Sequence, residues 1–163
     1  MAKLVKQRVT ANVEGDFVVF LIGMRINRPW KPWKWLPVFM AMPRMLRELS
    51  NHPEMGLLGV RQTFASPLSP VVIQYWRSFE QLEAFARSKD ATHFPAWVKF
   101  NKAVGSNGDV GIWHETFLVP AGQYEAIYNN MPPVGLGAFG EVVPAAGRKE
   151  SARGRIGEEG EAE

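Results

Sequence analysis

Residues 108–118 (GDVGIWHETFL) constrain the fold most, because they predict a β-strand that carries two ionisable side chains, His114 and Glu115, among apolar and aromatic neighbours. Successive side chains of a strand point to opposite faces of its sheet. One face therefore receives Ile112, His114 and Thr116, and the other receives Trp113, Glu115 and Phe117. Burying an imidazole or a carboxylate is costly unless a partner satisfies it. The two side chains thus cannot serve one pocket together unless the strand is bulged.

Apolar runs along the chain predict the element order strand, helix, strand, strand, helix, strand. The predicted positions are 17–26 for the first strand, 36–49 for the first helix, 56–64 and 70–76 for a hairpin, 79–87 and 95–104 for two helical pieces, and 108–118 for the last strand. Pro37 and Pro43 interrupt the first helix, so it either starts at Pro37 and kinks near Pro43 or begins twice. Ser78 precedes Gln81 by three residues, which is a capping-box pattern for the next helix.

This order is the split βαβ plan of an α+β, ferredoxin-like sandwich, with helices on one face of an antiparallel four-stranded sheet. The other face then lacks cover within a monomer, and an uncovered apolar face is usually a partner surface. We therefore expect a homodimer closed sheet against sheet. The chain of 163 residues is long enough for one ordinary domain, which we place at 1–144. Residues 145–163 are rich in glycine, alanine and charge, and we expect them to form a solvated, disordered tail.

Composition excludes several function classes. The chain has no cysteine, so it has no disulfide, thiolate metal site or cysteine nucleophile. Its histidines, at 52, 93 and 114, form no spaced pair of metal ligands, and the nucleophile elbow of a serine hydrolase is absent. The formal net charge of +3 argues against nucleic acid as a partner. The apolar run FVVFLIG is short and begins late in the chain, so we expect no secretory signal and a soluble, cytoplasmic protein.

The most aromatic and basic segment is residues 28–40, in which Trp30, Trp33 and Trp35 alternate with basic side chains. Three interpretations compete: stacking on a nucleic acid, contact with a membrane surface, and one wall of a cavity for a hydrophobic ligand. The cavity wall is favoured, because the cations are few and the segment continues into an ordinary amphipathic helix. We therefore predict that Trp33, Trp35 and Phe39 bind a small hydrophobic substrate. Peripheral contact with a membrane is the second interpretation.

A family resemblance rests on four segments, MRINRPWKPWKWLPV, MPRMLRELSNHPEMGLLG, QYWRSFEQLEAFARSKDATHFPAWVKFN and GDVGIWHETFLVPAGQYEAIYNNMPPVGLG. Together they resemble the monooxygenase-like family related to a fungal fumagillin-pathway monooxygenase, within the dimeric α+β barrel superfamily of antibiotic-biosynthesis monooxygenases. The resemblance implies a ferredoxin-like fold and a dimeric α+β barrel. The superfamily includes cofactor-free oxygenases, haem-degrading enzymes, haem dehydratases and isomerases, so the resemblance leaves the chemistry and the cofactor open.

The resemblance also implies one haem ligand. In haem-degrading members of the superfamily a histidine shortly after the second helix binds the iron, and the corresponding stretch here, SKDATHFPAW, contributes His93. The structural alternative is that His93 caps or orients the helix that follows it. His114 is the other candidate iron ligand and, in a cofactor-free enzyme, the general base; its structural alternative is a satisfied core histidine. Haem is therefore one of two cofactor states that the sequence allows.

Residues 119–133 (VPAGQYEAIYNNMPP) form a second polar and aromatic segment after the His114 strand. We predict that Tyr128 or Asn129 binds the oxyanion that develops when His114 accepts a proton from an activated substrate. Met131, beside two prolines, is predicted to line the pocket as part of a rigid lid. The structural alternative is that this segment only closes one end of the sandwich.

These observations predict a small oxygenase-type oxidoreductase, haem-dependent or cofactor-free, that acts on a hydrophobic organic substrate in a cavity between sheet and helices. Dehydratase or isomerase chemistry on haem belongs to the same family resemblance. The alternative is a non-catalytic dimer that binds an apolar ligand or a membrane surface through residues 28–40.

Overall fold

The computed structural model describes residues 4–88 and 107–157. In chain order its helices and strands are β1 (Val9–Asn12), β2 (Phe17–Ile26), α1 (Pro32–Asn51), β3 (Leu57–Ser66), β4 (Ser69–Trp76), α2 (Phe79–Arg87), β5 (Val110–Val119), β6 (Glu141–Pro144) and the four-residue α3 (Ala152–Arg155). The predicted helical piece at 95–104 and the candidate ligand His93 lie outside the described residues.

The main sheet has four antiparallel strands in the order β3-β4-β2-β5. α1 lies between β2 and β3 in the chain, and α2 lies between β4 and β5. This is the ferredoxin-like split βαβ arrangement, so the predicted α+β fold class is confirmed. β2 is a central strand with apolar side chains on both faces, which explains why its sequence shows no clean alternation.

The two faces of this sheet have different neighbours. The helix-side face carries Val18, Phe20, Ile22, Met24 and Ile26 of β2, with the even-numbered side chains of β4 and β5 beside them. The open face carries Phe17, Val19, Leu21, Gly23 and Arg25, with the odd-numbered side chains of β4 and β5. α1 and α2 pack on the helix-side face, where Val18 and Trp76 cluster with Leu49 of α1 and Phe85 of α2.

α1 is one continuous helix of 20 residues, so it neither starts at Pro37 nor begins twice. It begins with Pro32 at its first position, where a proline lacks only an amide that would be unpaired anyway. Pro37 and Pro43 lie inside the helix on exposed positions. Solvent can therefore hydrate the carbonyl groups that lose an amide partner, and the helix continues through both prolines.

α2 begins as predicted, because the Ser78 side chain accepts a hydrogen bond from the Gln81 amide at 3.2 Å. Its buried residues are Leu82 and Phe85, whereas Phe79 and Ala86 are exposed. The Phe85 ring lies 5.6 Å from that of Trp76, so the position of Trp76 on the sheet decides which side of α2 is buried.

β1 and β6 form a second, two-stranded sheet that the sequence did not predict, because each strand has only four residues. The segment between β5 and β6 covers one end of the open face. Tyr124 and Phe139 pack edge-on against Phe17, with ring centroids 5.4 and 6.5 Å away. The part of the open face around Phe17 and Tyr75 is therefore covered by residues between β5 and β6.

Residues 145–157 differ from the expected solvated tail. The Arg155 Nε donates to Glu125 at 2.7 Å, the Lys149 Nζ donates to Asn12 at 2.9 Å, and the Ala145 amide donates to the Arg8 carbonyl at 3.0 Å. The composition predicts disorder because this segment has little apolar surface to bury. In the structure, hydrogen bonds to residues far away in the sequence hold the segment in place instead.

Candidate active site

An apolar cavity of about 110 Å³ lies between α1 and the helix-side face of the sheet. Its walls include Ile22, Met24, Val38, Phe39, Met42 and Gln62. A single water needs only about 10–15 Å³, so this space accommodates part of an organic molecule. The sequence predicted a hydrophobic cavity at this place, between the sheet and the first helix.

Strand register places four side chains in one row across the helix-side face. Gln62 pairs with Val72, Val72 with Ile22, and Ile22 with His114. Three strand spacings separate the two ends of this row, which is about 14 Å. Gln62 and His114 therefore face opposite ends of any molecule that lies across the sheet, and they do not act on the same atom.

His114 lies on the helix-side face of the edge strand β5, two residues after Ile112, which lines the cavity. Its ring is 5.7 Å from that of Phe20, and the residue is exposed. The sequence predicted His114 as a general base or a haem ligand in the cavity between sheet and helices. Within residues 4–88 and 107–157 the structure leaves its side chain exposed beside the lining residues Ile22 and Ile112, because β5 has a neighbouring strand on only one side.

Tyr128, Asn129 and Met131 lie on the other side of the sheet from His114. The Tyr128 hydroxyl accepts a hydrogen bond from the Gly137 amide at 3.0 Å, in the segment that covers the open face. Burial raises the pKa of the Tyr128 phenol above its usual 10.0. The segment contains no helix between residues 120 and 134, and it pairs with Val9 of β1 and with Val5 through single bridges. The predicted oxyanion partnership with His114 is therefore not formed.

The three predicted substrate-binding residues of α1 have different positions. Phe39 lines the cavity. Trp35 packs beside Met24 and Val110, and its indole donates to the Pro29 carbonyl at 3.1 Å. Trp33 points away from the sheet and is 67% exposed, because it lies half a helical turn from the inward positions.

Gln62 is a polar cavity residue that sequence reasoning missed. It lies in β3 between Val60 and Phe64 on the helix-side face, and its side chain is the polar end of the row that His114 begins. The sequence signal for Gln62 was its place in the alternation of β3, where it lies on the same face as Val60 and Phe64. It could not be interpreted because β3 is an edge strand whose residues are mostly exposed, so polar side chains occur on both its faces.

The described residues do not form a complete haem site. Haem needs an apolar slot with an axial ligand in its wall. Among the described residues no histidine lines the cavity between α1 and the sheet, and the exposed His114 lies beside the lining residues Ile22 and Ile112. No cluster of three metal-ligating side chains occurs within the described part of the chain either. No chemical step is therefore derived through haem.

The fold and the cavity define a ferredoxin-like α+β domain with an apolar cavity between its sheet and its first helix. Residues 17–136 match the family described as Monooxygenase af470-like, and the chain belongs to this family. Monooxygenase af470 of Aspergillus fumigatus is 31% identical over 170 residues, which cover 87% of this chain and 57% of that protein. The chain thus spans less than two thirds of its relative.

Two solved structures share the fold at low sequence identity. One crystal structure of an aldoxime dehydratase superposes with a TM-score of 0.65 and 20% identity, over 88% of this chain and 45% of that one. Another aldoxime dehydratase, in complex with butyraldoxime, superposes with a TM-score of 0.62 and 17% sequence identity, over 81% of this chain and 41% of that one. Both likenesses concern the fold.

Proposed function

We propose that this protein is an oxygenase-type oxidoreductase whose hydrophobic substrate binds in the cavity between α1 and the sheet. The observation that carries this proposal is the cavity itself, whose walls are almost entirely aliphatic, aromatic or thioether side chains. Such walls favour an apolar molecule, and a few polar groups then orient it. Membership of a monooxygenase family supports oxidation as the reaction class.

Two polar side chains at the ends of the cross-strand row have distinct proposed roles. The Gln62 amide donates a hydrogen bond to an oxygen of the substrate inside the cavity. His114, at the edge, accepts a proton from an activated O–H or C–H group of the substrate. The anion left behind is oxidised by dioxygen at a CH2 carbon: a C–O bond forms to give a peroxide, the proton held by His114 passes to it, and the O–O bond then breaks with loss of water to leave a carbonyl group on the substrate. Neither role requires Tyr128 or Asn129, which lie beyond the sheet.

The uncovered part of the open face supports a homodimer. The pairing of the strands places four side chains in a row across the open face: Arg61, Ile73, Leu21 and Glu115. The two charged residues lie on the opposite edge strands β3 and β5. The charges are about 14 Å apart and cannot pair within one chain. Consider a two-fold axis that lies in the interface, crosses the middle of this row and runs along the strands. It would place each arginine opposite a glutamate of the second copy and pack the Ile73 and Leu21 side chains of the two copies against each other. The face is therefore self-complementary.

A matched pair of substitutions on α1 tests the binding site. Met42→Trp fills the cavity, whereas Met40→Trp adds the same ring to the outer face of the same helix. With an apolar fluorescent probe such as N-phenylnaphthylamine, we expect Met42→Trp to weaken binding about tenfold or more and Met40→Trp to leave it unchanged. Equal binding by both variants, with native circular dichroism, would exclude the cavity as the site.

The role of His114 is tested separately by oxygen consumption with hydrophobic phenols and enols. We expect His114→Ala to lower turnover by about 100-fold, because removal of a general base costs roughly that much. Thr116→Val, on the same strand and face, is the control and should retain activity. The haem-dependent form of the proposal requires a Soret shift on titration with haemin that His114→Ala abolishes.

The alternative function, a non-catalytic binder, has one observation in its favour: part of the tryptophan-rich segment is exposed. It requires that Trp33→Ala abolish ligand binding and that His114→Ala leave it intact. Loss of probe binding in Met42→Trp alone would instead favour the cavity.

A further inference from the structure

α1 has an apolar face on each side. Toward the sheet it presents residues such as Leu46 and Leu49, which are buried. On the opposite side, Trp33, Leu36 and Met40 follow each other at spacings of three and four residues, so they form one stripe. Their exposed fractions are 67%, 44% and 45%. The outer face of a helix on a globular protein is normally polar, and this stripe therefore needs a partner.

The charges near this stripe are mainly positive, with two acidic exceptions: Glu48 lies one turn after Arg44 on α1, and Asp109 pairs with Arg28 and Lys31. Residues 17–47 contain six lysine or arginine residues and no aspartate or glutamate. Arg44 and Arg47 continue the outer face along α1 beyond Met40, and both are exposed. The stripe thus consists of an apolar half that includes Trp33 and a cationic half. A surface of this kind complements a partner that is apolar below a layer of negative charge.

We propose that the outer stripe of α1, which comprises Trp33, Leu36, Met40, Arg44 and Arg47, docks on the surface of an anionic lipid bilayer. Indole rings favour the boundary between headgroups and acyl chains, and guanidinium groups bind lipid phosphates. The helix lies in the plane of the surface. Among the described residues, the helices are too short or too polar to cross a bilayer.

Docking would bring the cavity next to the lipid. Phe39 lies between the two faces of α1, since it lines the cavity and is 36% exposed. A hydrophobic substrate dissolved in the bilayer could then reach the cavity along α1 without crossing water. This consequence rests on the proposed function, whereas docking itself does not.

Co-sedimentation with vesicles tests the docking. The full-length protein is mixed with vesicles of phosphatidylcholine alone or of equal parts phosphatidylcholine and phosphatidylglycerol. We expect binding to the anionic vesicles and little binding to the neutral ones. Arg44→Gln with Arg47→Gln should weaken binding roughly 25-fold, since each cation near the surface contributes about fivefold. Trp33→Ala with Met40→Ala should weaken it by about tenfold or more.

Matched controls use exposed residues far from α1 in the sequence. Arg153→Gln controls for charge and Ile156→Ala for apolar surface, and both should bind as the unmodified protein does. Equal effects of the stripe and control variants, or no binding to anionic vesicles, would overturn the proposal. So would a change of oligomeric state in Trp33→Ala without vesicle binding, which would make the stripe a protein interface. Probe binding by Met42→Trp, measured without vesicles, reports on the cavity independently.

Discussion

Gly23 shows how a single residue shapes the open face. It lies in β2 directly opposite Trp113 of β5, and the indole covers it. A Cβ atom at position 23 would lie 2.6 Å from the Cε2 and Nε1 atoms of that ring. Glycine inside a strand usually weakens the strand, but here it lets a cross-strand tryptophan lie flat on the sheet. The apolar character of this face therefore depends on a residue without a side chain.

We expect Gly23→Ala to displace the Trp113 ring and to lower the free energy of unfolding by about 1–3 kcal/mol, the usual cost of overpacking. Gly111→Ala is the matched control. Its Cβ would meet only ordinary contacts, at 3.8 Å from Arg25, so it should be neutral or slightly stabilising. Urea unfolding and tryptophan fluorescence measure both effects. Equal stability of the two variants would show that the ring moves without cost.

At the scale of elements, Asp109 joins the start of β5 to the start of α1. Its Oδ1 atom accepts hydrogen bonds from Arg28 at 2.8 Å and Lys31 at 3.1 Å, and its side chain is only 4% exposed. Its backbone carbonyl accepts from the amides of Asn27 and Arg28. The carboxylate also lies near the N-terminus of α1, where negative charge is favoured. One residue thus fixes where the helix leaves the sheet.

This arrangement predicts a pH dependence. The hydrogen bond from Lys31, with the charges of Lys31 and Arg28, lowers the pKa of Asp109 below its usual 3.8. A pKa that is lower in the folded state than in the unfolded state means that the carboxylate stabilises the fold. This stabilisation is fully present above the usual pKa of 3.8 and is lost as the pH falls through the lowered pKa. Asp109→Asn should therefore be less stable at neutral pH, and its melting temperature should fall less on acidification.

Thermal unfolding followed by circular dichroism between neutral and acidic pH measures this difference. Glu141→Gln, at an exposed position of β6, is the control and should follow the unmodified protein. Parallel curves for Asp109→Asn and the unmodified protein would mean that Asp109 carries no part of the acid sensitivity.

At the scale of the whole molecule, the two faces of one sheet have separate proposed tasks. The helix-side face and α1 enclose the cavity, and the row from Arg61 to Glu115 on the open face is suited to a second copy. The C-terminal segment covers only the part of the open face near Phe17. The dimer and the cavity can therefore be tested by different substitutions.

Charge reversal tests the dimer. Glu115→Arg or Arg61→Glu alone should weaken dimerisation about tenfold, because each single change sets like charges against each other across the two-fold axis. The double variant, with both charges exchanged, should restore the dimer. Sedimentation velocity over a range of concentrations measures the dissociation constant. A double variant no tighter than the single ones would contradict the proposed register, and a protein that stays monomeric would contradict the dimer.

The sequence by itself determined the features that depend on local periodicity. The alternation in 108–118 assigned His114 and Glu115 to opposite faces, the turn residues defined the hairpin, and Ser78 marked the start of α2. Each of these follows from neighbouring residues, because side-chain direction and capping are set within one or two turns of chain.

Only the tertiary structure decided which of these residues meet. It placed Tyr128 and His114 on opposite sides of the sheet, brought Gln62 into the cavity, and turned Trp33 outward while Phe39 faced in. It also held residues 145–157 through bonds to Asn12 and Arg8, which lie far away in the sequence. The order of strands, and hence which strand lies at an edge, depends on contacts between distant segments, so no local pattern contains it.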